Sequence, residues 1–148
     1  MSAIKQFDEF VKENIAKKQA PNIPRAKFLI AESEKSYSYL VKLTKTMGMT
    51  DEGANSIIKL SYDIMAELIR AKMMLDGFNS SGQGAHEAEV AYAGLLGFSE
   101  NEIQFLDQLR YFRNGVMYYG KILDADYARK VLDFLNKIYP KLKAMLSK

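Results

Sequence analysis

The chain contains no cysteine, which excludes disulfide scaffolds, Cys-based zinc sites and thiol nucleophiles. Its single histidine is His86, so neither a multi-histidine metal site nor a self-contained Ser-His-Asp triad is expected. Nothing in the sequence calls for a metal or a cofactor. No uninterrupted apolar run exceeds four residues, so neither a membrane span nor a signal-peptide core is expected. These absences favour a soluble cytoplasmic protein with no membrane partner. Excess charge is also scarce: 21 basic and 18 acidic residues leave a net +3, too mild to demand nucleic acid and no bar to it. What is present is ordinary. The 148 residues are 48% hydrophobic and 26% charged, the composition of a globular chain. That length suits one domain spanning 1–148, able to bury roughly 70% of its unfolded surface.

The charges fall in blocks. No Lys or Arg lies between Lys72 and Arg110, whereas Asp76, Glu87, Glu89, Glu100, Glu102 and Asp107 do. From Arg129 onward the chain is basic except for Asp133. Such blocks serve head-to-tail contact or anion binding, or are simply solvated faces. Periodicity is helical almost throughout. Ile4, Phe7, Val11 and Ile15 share a first helix face. Pro24 suits the first turn of a helix from about Arg25 to Met47, which Gly48 stops. Thr50 is a candidate N-cap for a third helix carrying Ile57, Leu60, Ile64, Leu68 and Leu75, closed by Gly77. The segment from about Gly77 to Gly84 reads as the most mobile internal loop. A short helix from about Ala85 to Leu96 follows, and Ser99 with Glu102 forms a capping box for a helix running toward Met117. Asp124 caps the last helix, whose Ala128, Val131, Leu135, Ile138, Leu142 and Met145 share a face that Pro140 should kink. No segment of alternating β-branched residues competes. The expectation is an all-α, up-and-down bundle of five or six helices.

The informative stretch is Leu109-Arg110-Tyr111-Phe112-Arg113-Asn114-Gly115-Val116-Met117-Tyr118-Tyr119-Gly120. At about 100° per residue, Asp107, Arg110, Asn114 and Tyr118 form one polar stripe, and Leu106, Leu109, Phe112 and Val116 form the apolar arc. Arg113 falls within that arc, so it should be buried and paired, since an unpaired buried charge is very costly. Two readings stand: a structural ion pair with Asp107 or a glutamate of another helix, or an anion site.

These residues resemble the HEPN superfamily (higher eukaryotes and prokaryotes nucleotide-binding), especially its small archaeal and bacterial members. Gly84-Ala85-His86-Glu87, Leu96-Gly97-Phe98-Ser99 and the closing amphipathic helix are similar in layout. The resemblance implies a helical bundle that dimerises with its motifs facing a shared cleft. Many members are metal-independent endoribonucleases and often toxins of toxin–antitoxin pairs, and a common partner is a small nucleotidyltransferase. Their Arg, polar residue and His at R-x4-H spacing correspond to Arg113, Asn114 and, in place of the His, Tyr118. Phenol, with a pKa of about 10, is a poor general base.

The resemblance therefore implies a non-catalytic or degenerate dimer that binds nucleotide or RNA through Arg110, Arg113, Asn114, Tyr118, Tyr119 and His86. The alternatives are an active ribonuclease, in which His86 or Tyr118 joins Arg113 and Asn114, and a plain helical scaffold. His86 reads as a capping or packing residue unless it faces Arg113. Tyr118 and Tyr119 are core or rim residues, or platforms for base stacking.

Overall fold

A computed structural model describes residues 4–114 and 123–147. Among the described residues six α-helices carry the fold: α1 Phe7–Lys12, α2 Ile23–Met47, α3 Ala54–Leu75, α4 Ala85–Tyr92, α5 Glu100–Arg113 and α6 Ala125–Leu146. A 3₁₀ turn, Ala93–Leu96, extends α4 to Gly97, whose left-handed backbone ends it. The all-α expectation holds, and no described helix is long and apolar enough to cross a membrane.

Three of the long helices, α2, α5 and α6, begin where the sequence provides a side-chain partner for the backbone. The Asn22 side chain accepts from the Arg25 amide ahead of Pro24. Ser99 and Glu102 form the full reciprocal box, and Asp124 accepts from the Tyr127 amide. These groups take up amide protons that the first helical turn leaves unpaired. Thr50 is not the cap of α3. Its hydroxyl accepts from Gly53, and that glycine occupies the N-cap position.

The third helix is the central column, packed against α2, α4, α5 and α6. Ile57, Ile58, Ile64, Met65, Leu68, Ile69 and Met73 are buried on it, too many for one amphipathic stripe, as befits a helix surrounded by others. The last helix buries Ala128, Val131, Leu135, Ile138 and Leu142, the face its periodicity predicted. Pro140 lies within α6 without ending it.

Two expectations are corrected. The first helix is only six residues long, because Asn14 turns left-handed (φ 67°) and sends Ile15 into an extended path. That path makes β1, Ala16–Lys18, which pairs antiparallel with β2, Phe78–Ser80. The segment expected to be a loose loop is therefore partly tied down, with Gln19 N–H to Gly77 C=O at 2.8 Å and Ser81 N–H to Ile15 C=O at 3.1 Å extending the ladder. Three-residue strands are too short to show alternation, so the sequence carried no signal for them.

Candidate functional site

The C-terminal end of α5 meets the middle of α3 and the first turn of α4. Between them lies a cavity of about 330 Å³ lined by Tyr62, Asp63, Ala66, Glu67 and Arg70 of α3, His86 of α4, and Arg113 and Asn114. A second cavity of about 640 Å³, toward α1 and the Gly82–Gly84 turn, also has His86 and Asn114 in its wall, together with Arg110 and Lys5. His86 and Asn114 thus form a ridge common to both.

The structure reverses the expected roles of the two arginines. Arg110, placed on the polar stripe and expected to touch a ligand, is buried together with Asp107. Its Nε donates to Asp107 Oδ1 at 2.7 Å, Glu87 Oε1 lies 3.5 Å from Nη2, and the guanidinium covers the Tyr111 ring. Arg113, expected to be buried, is exposed and donates to Asp63 Oδ1 at 2.9 Å, the two side chains being 44% and 38% accessible. The helix α5 packs against both α3 and α4. The reach of Glu87 of α4 to Arg110 brings cover to the polar stripe. The expected ion pair of Arg113 exists, with a partner on α3 rather than Asp107 or a glutamate.

Phe112 is fully buried within the protomer, against the Tyr127 ring in an edge-on contact. It therefore presents no surface for association. Tyr118 and Tyr119 lie outside the described residues.

His86 and Arg113, on different helices, line the same cavity. The imidazole Nδ1 is 3.1 Å from Glu89 Oε1, one turn along α4. Glu89 is buried and is clamped by Arg70, whose Nε and Nη2 donate to its two oxygens at 2.6 and 3.1 Å. The result is a chain running Arg70, Glu89, His86. Burial pushes the Glu89 carboxyl up, but its bonds from His86 and Arg70 outweigh burial and hold it below the usual range. The bond to Glu89 raises the His86 pKa against the opposing effect of burial. Glu87, next to His86 in the chain, turns to Arg110 instead.

Glu67 is half-buried, with Ser33 Oγ of α2 3.1 Å from its Oε2. Burial is the largest effect on it and raises its pKa. Tyr62 lines the same cavity; its hydroxyl is buried and bonded to no described residue. Burial, reinforced by the negative charge of Glu89, pushes its pKa up and keeps the phenol neutral. Among the described residues, no cluster of three His, Asp or Glu side chains is placed to hold a metal ion.

Asp63, Glu67, Arg70 and Glu89 were not singled out by sequence. A signal existed: Lys59, Asp63, Glu67 and Arg70 recur at helical spacing on an otherwise apolar helix. A polar stripe on a central helix must face either solvent or a cavity. No family model, no curated protein and no solved structure matches this chain.

Proposed function

We propose that this chain is a HEPN-like module that binds a nucleotide or RNA, with a phosphate seated between Arg113, Asn114 and His86. The reading rests on one observation: the Arg113–Asn114 pair that carries the family resemblance ends α5 at a cavity also lined by Arg70 and His86. A guanidinium and an amide supply directional donors for phosphate oxygens. The Asp63 carboxylate now on Arg113 must give way to the ligand. That ion pair is open to water and therefore weak, which lets a phosphate compete with Asp63 for the guanidinium. Arg110, fully engaged inside the fold, supports the ridge rather than touching the ligand.

The same proposal includes a homodimer and, as the resemblance implies, a small nucleotidyltransferase as protein partner in a toxin–antitoxin-type pair. Surface for association is available away from α5, for example at Phe28 and Tyr39 of α2, which are large, apolar and exposed.

The test is fluorescence anisotropy of a labelled single-stranded RNA at low and moderate salt, with wild type, Arg113→Ala and Asn114→Ala. Loss of one charge-assisted contact should weaken binding about tenfold or more, and Arg113→Ala should also reduce the salt dependence by about one phosphate contact. Binding that ignores both substitutions would refute this site.

A further inference from the structure

A phosphate that enters the cavity meets charges already set against one another. The guanidinium groups of Arg70 and Arg113 line it together with two carboxylates of α3, Asp63 and Glu67, and with His86 of α4. A third carboxylate, Glu89, stands behind and holds both Arg70 and His86. With the imidazole charged, three cations face three carboxylates, so the charge of a bound ligand is in excess. Seating the phosphate on Arg113 also takes that guanidinium from Asp63. Asp63 and Glu67, one helical turn apart on α3, are then two carboxylates beside an anion, and like charges at that spacing disfavour joint ionisation. Asp63 is 38% accessible and can turn to water. Glu67 is half-buried, with Ser33 its one hydrogen-bond partner among the described residues.

Ser33 serves Glu67 in either protonation state. Its hydroxyl is buried and carries one proton, with two acceptors in reach: the Leu29 carbonyl oxygen at 2.8 Å and Glu67 Oε2 at 3.1 Å. When Glu67 is ionised, the hydroxyl donates to the carboxylate. When Glu67 is protonated, the Ser33 proton stays on the nearer Leu29 carbonyl and the hydroxyl oxygen accepts from the carboxyl O–H. Neither state strands a buried polar group, so protonation meets no penalty from an opposed donor.

We propose that phosphate binding in this cavity is coupled to the uptake of one proton by Glu67, so that the site holds its ligand more tightly as pH falls. The proposal rests on the phosphate-binding reading above. A proton from solvent joins the Glu67 carboxylate as Asp63 leaves Arg113, and one negative charge fewer then opposes the ligand. In the free protein burial already raises the Glu67 pKa; Asp63 and Glu32 of α2 add to that, while Ser33 and Arg70 oppose it. Arg113 and His86 face the same cavity as cations. A bound anion cancels part of their effect and raises the Glu67 pKa further. Affinity therefore climbs as pH falls through the bound-state value and levels off below the free-state one. His86, itself part of the phosphate site, adds a separate dependence: the charge that its bond to Glu89 sustains is lost above the imidazole range, and binding weakens there.

The experiment follows the anisotropy of a labelled oligouridylate, at constant ionic strength, across about pH 5 to 8, the range in which imidazole and a raised carboxyl titrate. The phosphodiesters and uracil bases keep one charge state throughout. Wild type, Glu67→Gln, His86→Ala and Arg113→Ala are compared as the full chain, with thermal melting to check folding. Wild type should gain up to about tenfold in affinity per unit of pH lost over part of this range, the limit for one proton. Glu67→Gln, a fixed copy of the neutral acid, should bind about fivefold or more tighter than wild type near neutral pH and keep only the dependence due to His86. His86→Ala should bind more weakly throughout and keep the Glu67 step. Calorimetry of the wild type at about pH 6, in two buffers of different ionisation heat, counts the protons taken up without any variant; His86 is already charged there. Arg113-dependent binding whose heat does not vary with buffer, or whose pH profile is unchanged by Glu67→Gln, would overturn the coupling and leave the phosphate reading standing. Weaker binding by a folded Glu67→Gln would do the same, because the carboxylate would then be serving the ligand. Binding indifferent to Arg113→Ala, or no binding, would overturn both.

Discussion

Arg70→Ala isolates the polar interior of this fold. The guanidinium and the Glu89 carboxylate form two charge-assisted bonds, and their side chains are 26% and 4% accessible. Removing Arg70 leaves a carboxylate inside the bundle with His86 as its remaining described partner. Breaking a buried pair from one side costs about 3–5 kcal/mol. The partial exposure of Arg70 and the surviving His86 bond place this case at the lower end, about 3 kcal/mol, or about 6–12 °C in Tm for a chain of this size. The pH dependence has a definite sign. In the wild type the Glu89 carboxyl is held below its ordinary value, because His86 and Arg70 outweigh burial. A depressed folded-state pKa contributes stability above the unfolded pKa, and that contribution is lost as pH falls through the folded one. Without Arg70, burial pushes the folded pKa upward, so the variant gains relative to wild type on acidification. His86, which becomes fully charged over the same descent, acts in the same direction. The stability gap should therefore be widest near neutral pH and narrow through about pH 5 to 4. Urea unfolding followed by circular dichroism at both ends of that range measures it. A gap under about 1 kcal/mol at neutral pH, or one that does not change on acidification, would refute the reasoning.

Asp63→Ala should cost well under about 1 kcal/mol in urea unfolding, since its pair with Arg113 is exposed; a loss above about 2 kcal/mol would mean the pair is buried in solution. Asp63→Asn should tighten RNA binding in anisotropy by freeing Arg113 of its competing carboxylate, and weaker binding would argue against a phosphate at that guanidinium. Ser99→Ala removes one half of the α5 capping box and should cost about 1 kcal/mol, read from the unfolding midpoint. Gly77→Ala places a Cβ 2.8 Å from the Gln19 carbonyl oxygen at a backbone φ of +87°. It should cost about 1–3 kcal/mol and speed hydrogen exchange at the Gln19 amide; an unperturbed variant would show that this turn is not held as described.

The single long periods of this chain were decisive on their own. The α6 face from Ala128 to Leu142, the Ser99–Glu102 box and the glycine stops at Gly48, Gly77 and Gly97 are local features. Helix formation and termination depend on residues within a turn or two of each other. So the all-α class and most helix bounds are legible in the sequence alone. The pairing of Ala16–Lys18 with Phe78–Ser80 joins segments some sixty residues apart. Neither strand has a pattern of its own, so only the path of the folded chain could bring them together. The same holds for the site. Sequence placed Arg113 and Asn114 side by side and left His86 an isolated histidine with an open role. Packing decided that Arg110 is inside and Arg113 outside, because α5 meets both α3 and α4 and Glu87 of α4 covers Arg110. It also brought Glu67, Arg70 and His86 to one cavity with Arg113. A helical period says which residues share a face; which neighbour covers that face, and how far a charge is thereby desolvated, is a property of the assembled bundle.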